Sequence, residues 1–474
     1  VNSTLFIVLI GRIVQVVISL ASVRIYTKLL STGEVGNIFL INSIVGLFAL
    51  TLINPVGMYI NRRLHKWSDD KTVINFFFLY NAYLIFISIA SVLIVGVLNK
   101  SLGVGSSIDL KLLSLFIMLN IYFNTWNLTI IPSLNMLQHV RSFVLFSVIT
   151  LLLGLTFSVT FVTAINPTAV YWLSGQVMAQ VAVTMLAFAH FKRITGTVLN
   201  LDLVKAAVTK VNFSRILAFV LPLTITTFFM WVQNQSYRMI IERYIGLEFL
   251  GMIGVGMGIA TSLSATVESI VLQVYNPIYY SEINTSDPEK RAIAWDKMAR
   301  LTIPIYLSVT ILVSCLAPFL VKILVNDKFS GVFVFVIYGA WVEFFRMTTN
   351  VLSSVAHSEM QTRSLILAYF AGGFLAFFGV YLCSTFDLSQ FIPAILVVSG
   401  FVTMSTMYLN MKNLIKINLG ADLLARPLAL SMPFAISLFF YSKSGDLRVS
   451  LLSTFIAGLY LMYIYFPTYK SMRN

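Results

Sequence analysis

The chain has 474 residues; 58% are hydrophobic, 11% are charged, and the mean hydropathy is +0.89. A soluble domain carries roughly 25% charged residues, so an ordinary globular protein is excluded, and an aromatic content of 14% excludes a disordered one. The 32 Lys+Arg against 18 Asp+Glu, +14 overall, would suggest nucleic acid in a soluble protein; in a membrane protein they follow from basic residues collecting in cytoplasmic loops, and no nucleic-acid partner is expected.

Apolar runs of about 20 residues, long enough to cross a bilayer as helix, recur along the chain. A membrane β-barrel would show shorter, alternating segments. The expected fold is all-α, a polytopic membrane protein with fourteen spans. The first six lie near 5–23, 37–60, 73–98, 112–134, 142–164 and 168–190. The next six lie near 216–241, 249–275, 301–325, 331–356, 364–386 and 390–411, and the last two near 427–441 and 449–467. The first run lacks a basic leader and contains Arg12, so it reads as a retained span and not a signal peptide. Span thirteen is the shortest and begins at Pro427, a natural first helical residue.

The loops between spans are short. The longest, 191–215, carries Leu201, Val204, Val208 and Val211 at helical spacing, with Lys205 and Lys210 on other faces, which predicts a helix lying in the membrane interface. Asp287-Pro288-Glu289 combines a cap, a first-turn proline and an acidic first turn. Loops after even-numbered spans hold 20 Lys and Arg, and those after odd-numbered spans hold 8. That bias predicts both termini in the cytoplasm. Cys315 and Cys383 both lie in apolar runs, so no disulfide framework is implied.

The two halves echo each other. Asn54-Pro55 closes span two and Asn276-Pro277 closes span eight, an offset of 222. Arg141-Ser142 opens span five and Arg363-Ser364 opens span eleven, again 222. A looser echo joins Glu34-Val35-Gly36 to Glu248-Phe249-Leu250-Gly251. Six spans separate the equivalents, so the repeats run parallel, related by an axis along the membrane normal. The predicted organisation is an N-lobe over 1–191, an amphipathic linker over 192–215, a C-lobe over 216–412, and two appended spans over 413–474.

Ionisable groups within spans are costly and point to function. Span one has Arg12, Gln15, Ser19 and Ser22 on one helical face, with Arg12 about 10 Å inside the span. Either the stripe lines a polar cavity or Arg12 reaches back to the headgroups. Span ten has Glu343, Arg346, Asn350, Ser354 and His357 on one face. A Glu–Arg pair at i, i+3 serving only to hold helices together is the alternative to a cavity there. Its repeat equivalent, span four, has Asn120, Asn124, Asn127 and Asn135. Span seven has Thr227, Trp231, Asn234 and Arg238; Arg238 either lines the cavity or anchors at the interface. Span eight has Thr261, Ser264 and Glu268, where Glu268 either pairs with an Arg, Arg12 among them, or binds a coupling cation, the alternative being a packing role alone. Lys322 is expected to snorkel to the outer surface.

The sequence holds no phosphate-binding G-x-x-x-x-G-K-[ST] loop and no metal-spaced His/Cys cluster. His65, His139, His190 and His357 all fall at predicted cytoplasmic ends. No cofactor, resident metal or catalytic residue is therefore expected, and the chain is not read as an enzyme; coupling to H+ or Na+ through Glu268 or Glu343 stays open.

Gly11-Arg12, Tyr26-Thr27-Lys28-Leu29-Leu30, Glu34-Val35-Gly36 and Asn54-Pro55 resemble the start of Wzx-type O-antigen and polysaccharide flippases. These belong to the multidrug/oligosaccharidyl-lipid/polysaccharide (MOP) exporter superfamily. Tyr237-Arg238 followed by Tyr244-Ile245-Gly246-Leu247-Glu248 resembles that family's junction of spans seven and eight, although Tyr237 stands where the family commonly has Asp. The resemblance implies two six-helix lobes in a MATE-like arrangement that open a cavity alternately to each face. It implies transport of an undecaprenyl-pyrophosphate-linked oligosaccharide, an O-antigen or capsule repeat unit, across the bacterial inner membrane. Arginine suits a pyrophosphate, so the expected cavity residues are Arg12, Gln15, Ser19, Asn124, Asn234, Arg238, Arg346 and Asn350. Expected partners are the lipid-linked oligosaccharide, membrane lipids, a polysaccharide polymerase and a chain-length regulator. A cation-coupled drug antiporter shares the fold and is the alternative. A membrane glycosyltransferase or polymerase is disfavoured by the short outer loops.

Overall fold

A computed structural model describes residues 2–210, 213–283, 287–420 and 422–473. The side chains of Val208, Lys210, Pro277 and residues 466–473 lie outside the described set, as does Val211. Among the described residues the regular elements are helices, and fourteen of them are long and apolar enough to cross a membrane. The chain is an all-α multi-pass membrane protein.

The helices follow in order: α1 Asn2–Leu29, α2 Thr32–Phe48, α3 Asn54–Asp69, α4 Val73–Leu102, α5 Leu110–Met136, α6 Val140–Ala164 and α7 Ala169–Thr195. A short α8, Leu201–Lys210, precedes α9 Phe213–Gln235, α10 Tyr237–Tyr244, α11 Leu247–Glu282 and α12 Pro288–Leu324. Then come α13 Phe333–Ser358, α14 Leu365–Thr385, α15 Ile392–Lys412, α16 Asp422–Ser431 and α17 Leu447–Arg473. Contacts divide them into two units: unit 1 is Val1–Trp231 with Arg238–Glu248, and unit 2 is Val232–Tyr237 with Phe249–Asn474. By this division most of the seventh span belongs with unit 1, and the last two spans belong with unit 2.

Proline placement corrects three expected boundaries. Asn54-Pro55 does not close span two; a π-helical turn at Ala49–Ile53 leads into α3, and the helical rod runs over Thr32–Asp69. Proline lacks an N–H to donate, and a π turn loosens the ladder where that bond is missing. Asn276-Pro277 likewise lies inside α11. Pro427 sits within α16 and does not start it; the span then continues as a 3-10 helix over Met432–Lys443. Twelve residues of 3-10 helix rise about 24 Å at 2.0 Å each, so a short segment spans farther than an α-helix would. At α12 the expected cap is present: the Asp287 side chain accepts from the Glu289 N–H, with Pro288 in the first turn.

The repeat is written in the backbone. Gln138 and Met360, 222 apart, both take positive φ, 66° and 57°. Around each, the same helix end forms: the N–H of His139 donates to the Leu134 carbonyl, and that of Gln361 to the Ala356 carbonyl. These are Schellman stops at positions again 222 apart. Shifting α5 by 222 gives 332–358, against Phe333–Ser358 for α13.

Tight helix packing without a hydrophobic drive needs small residues at the contacts. A Cβ on Gly175 of α7 would lie 2.3 Å from the Ser158 backbone nitrogen of α6, and the Ser158 hydroxyl closes the contact by donating to the Trp172 carbonyl at 2.6 Å. Glu34 ties α2 to α7 by accepting from the Ala169 N–H at 2.6 Å. In unit 2, the last spans hold to α12 through hydroxyls: Tyr465 donates to the Pro304 carbonyl at 2.9 Å, and Ser431 donates to Ser308 at 3.0 Å. On α8, Val204 is buried and Leu201 exposed; Val208 and Val211 of the expected apolar face are outside the described set.

Candidate functional site

The charged centre of unit 2 is assembled by α11 and α13. A Cβ on Gly256 of α11 would come within 2.8 Å of the Val332 carbonyl, and one on Gly339 of α13 within 3.0 Å of the Met257 Cα. Glycine at both positions eases that approach, and it sets the polar stripes of the two helices face to face. Arg346 then bridges two carboxylates: its Nε donates to Glu343 at 2.7 Å and its Nη2 to Glu268 at 2.7 Å. Asn350 donates to the other oxygen of Glu268 at 2.8 Å, and Thr261 to the other oxygen of Glu343 at 2.8 Å. The Glu268 and Glu343 side chains are 10% and 6% exposed, and Arg346 is 29% exposed. Every carboxylate oxygen thus has a donor, which buried charges require. Ser264 of the same stripe is buried, and its hydroxyl has no hydrogen-bond partner among the described residues.

The i, i+3 pair of Glu343 and Arg346 exists, but a third member, Glu268, joins it from 75 residues away in sequence. Glu268 is taken by Arg346 and Asn350 in unit 2, which is the Arg pairing expected of it, with a different arginine from Arg12.

Unit 1 carries neutral chemistry where unit 2 carries ions. Asn127 donates to Thr184 at 3.2 Å and to Thr150 at 3.5 Å, joining α5, α7 and α6. Asn124 accepts from Gln180 at 3.0 Å. Asn120 is buried and Asn135 exposed. These are interhelical amide bonds of the kind that glue membrane helices.

Arg12 sits ten residues into α1, about 15 Å from its start. Its Nη1 donates to Gln15 at 3.2 Å, and the guanidinium lies over the Phe143 ring at 5.9 Å. Its Nε is buried without a hydrogen-bond partner, and no carboxylate pairs with Arg12 among the described residues. Gln15 is half-buried and Ser19 exposed. Arg238 lies against α2: it donates to the Ser43 hydroxyl at 3.2 Å and the Phe39 carbonyl at 3.4 Å, over the Phe39 ring. Trp231 donates to the Ser43 carbonyl at 2.9 Å. The seventh span is thereby fastened to α2 at one residue by two side chains. Asn234 is half-buried. Lys322, expected to snorkel, pairs with Asp327 at 2.8 Å just past the end of α12.

Two positioning residues escaped the sequence reading. Glu242 of α10 accepts from the Gly105 N–H at 2.8 Å, and Arg243 donates to the Leu102 carbonyl, so both hold the loop between α4 and α5. Neither belongs to a polar stripe, and a loop-to-helix contact leaves no periodic signal.

No protein-family model matches the chain, and no curated protein matches it in sequence. Solved structures do share its fold. The lipid II flippase MurJ in an inward closed conformation superposes with a TM-score of 0.59 at 13% identity, covering 99% of this chain and 100% of MurJ. An inward-facing multidrug-resistance MATE transporter of the MOP superfamily gives 0.58 at 14% identity, over 84% of this chain and 94% of the transporter. A second MATE structure, in complex with MaD3S, gives 0.51 at 16%, over 85% and 94%. The chain has the fold of these MOP-superfamily proteins.

Proposed function

We propose that this protein is a flippase that moves an undecaprenyl-pyrophosphate-linked oligosaccharide across the bacterial inner membrane by alternating access of its two repeats. The observation that carries this reading is the reach of the fold match. It runs over 99% of the chain for a lipid II flippase but 84% for a MATE transporter. A fourteen-span chain with two helices held to α12 is suited to a cargo with a long lipid tail. Arg12 then meets the pyrophosphate. Its buried, unpartnered Nε and its lack of a carboxylate leave an anion site open, and arginine's planar fork fits phosphate oxygens. Gln15, Ser19, Asn124, Asn234, Arg238 and Asn350 supply polar contacts for sugars. Both termini face the cytoplasm, in keeping with the loop bias of 20 to 8. A polysaccharide polymerase and a chain-length regulator would take the cargo onward.

A second reading is a cation-coupled antiporter. The buried Glu268 and Glu343 favour it, because carboxylates in a membrane interior commonly serve proton or Na+ relays. Under the first reading these same carboxylates, with Arg346, couple cargo movement to H+ or Na+.

The deciding experiment is deletion of the gene, with analysis of surface glycan and of lipid-linked intermediates. Loss of the glycan with intermediates trapped at the inner leaflet is expected. Normal glycan with heightened sensitivity to cationic drugs would overturn the flippase in favour of the antiporter.

A further inference from the structure

Unit 1 contains a crevice of about 450 Å³ lined by α4, α5 and α7. Phe77, Phe78, Phe123 and Phe188 supply much of its wall. Phe78 and Met185 at its rim are 43% and 63% exposed. The same face of α4 continues as exposed Ile85, Phe86, Ile89 and Leu93. An apolar helix face left open in a membrane protein meets lipid hydrocarbon, so the crevice opens toward lipid.

Two polar groups interrupt this lining. Asn81 accepts at its Oδ1 from the Tyr122 hydroxyl at 2.7 Å and from Trp126 Nε1 at 3.1 Å. Two donors on one oxygen fix the amide's orientation, and its NH2 has no protein acceptor among the described residues. Lys192, near the end of α7, is the second group. It is exposed, it is followed by exposed Arg193, and no carboxylate pairs with it among the described residues. The two groups are about one helical turn apart in depth. Phe77 and Phe191 stack at 5.5 Å, which sets Lys192 near the level of Phe77. Asn81 lies four residues further along α4, about 6 Å deeper. That is the interval between the phosphate of a glycerophospholipid and its acyl-ester carbonyl.

We propose that this crevice binds an anionic glycerophospholipid. Lys192 takes the phosphate, the Asn81 amide donates to an acyl-ester carbonyl, and the chain runs past Met185 and Val181. Net negative charge is preferred because the headgroup end offers Lys192 and no paired acid. The assignment needs only the membrane-spanning fold and is independent of the proposed transport.

The test uses the full-length protein in detergent, loaded with phosphatidylglycerol or with phosphatidylcholine of the same chains, and read by native mass spectrometry. Phosphatidylglycerol should be retained about fivefold better, the weight of one lysine on an anionic headgroup. Lys192→Gln should abolish the difference, and Asn81→Leu should lower retention of both lipids. Phosphatidylglycerol carrying a photoactivatable diazirine in its chain should label wild-type peptides containing Val181 and Met185. This labelling decides the matter even where a variant fails to fold. Equal retention of the two lipids by the wild type, unchanged preference in Lys192→Gln, or labelling confined to other peptides would each overturn the proposal. So would displacement of phosphatidylglycerol by an equal concentration of an isoprenoid phosphate, which would make the crevice a seat for the cargo's tail.

Discussion

Helices α5 and α13 are equivalent members of the repeat, ended by the same turn at Gln138 and Met360, yet their polar faces differ in kind. The position 222 after Asn124 is Arg346. Asn124 accepts one neutral hydrogen bond from Gln180, whereas Arg346 holds two carboxylates. Unit 2 thus closes its charges on one another. In unit 1 one intramembrane arginine, Arg12, lies on a different helix and keeps spare capacity. One scaffold therefore carries two electrostatic designs: an internally satisfied ion network and an unsatisfied cation. The first is suited to holding helices or to switching when a proton or Na+ arrives. The second is suited to an external anion.

The sharpest way to break this contrast is to remove the spare cation. Arg12→Ala should leave the protein inserted, since no internal ion pair is lost, yet reduce export to background. Lys at this position should restore part of it, keeping the charge without the planar fork. The measurement is surface glycan per molecule of inserted protein. Near-normal export by Arg12→Ala would make Arg12 a structural residue and remove the functional half of the comparison.

The complementary change installs unit 1's residue in unit 2. Arg346→Asn would strand Glu268 and Glu343, each buried. Removing one partner of a buried pair costs about 3–5 kcal/mol, so thermal unfolding in detergent should shift strongly downward. Adding Glu268→Gln and Glu343→Gln should recover most of the stability, because the stranded charges are gone. Export that stays lost in the stable triple variant would assign the network to coupling; export that returns would leave it a structural tie.

A third change tests helix packing within unit 1. Gly175→Ala would drive a methyl to within 2.3 Å of the Ser158 backbone. Overpacking of this kind costs about 1–3 kcal/mol. Gly246→Ala, where nothing lies within 4 Å but φ is +118°, separates backbone strain from steric contact. Comparable unfolding midpoints for Gly175→Ala and wild type would show that α6 and α7 separate freely.

Much of the fold was legible because its signals are local. Runs of about 20 apolar residues mark spans, and two dipeptides 222 apart marked the repeat. The stronger mark of that repeat, the paired helix ends, was hidden because Gln138 and Met360 occupy left-handed positions that usually advertise themselves as glycine. Prolines misled at Pro55 and Pro427 because a π turn and a 3-10 segment absorbed what reads as a break. In the candidate site, Glu268, Glu343 and Arg346 were each legible as costly intramembrane charges. Their union was not, since pairing over 78 residues depends on how closely α11 and α13 approach. Gly256 and Gly339 were the available hint. Arg238 was legible as a charge, but its attachment to Ser43 and Phe39 across 195 and 199 residues was not.

The smallest expected effect lies in the neutral network. Asn127→Leu removes the donors that join α5 to α6 and α7. In a membrane such bonds contribute about 0.6 kcal/mol on average and at most about 2, because the unfolded helices find other partners. The Asn127 variant should therefore unfold only slightly earlier than wild type and export at near-normal rates, in sharp contrast to Arg346→Asn. Leucine also adds apolar volume beside Thr184, so Asn127→Ala should be measured in parallel to remove the amide without crowding. If both variants lose as much stability as Arg346→Asn, the amides of unit 1 carry the same weight as the ions of unit 2, and the division into neutral and ionic designs has no energetic content.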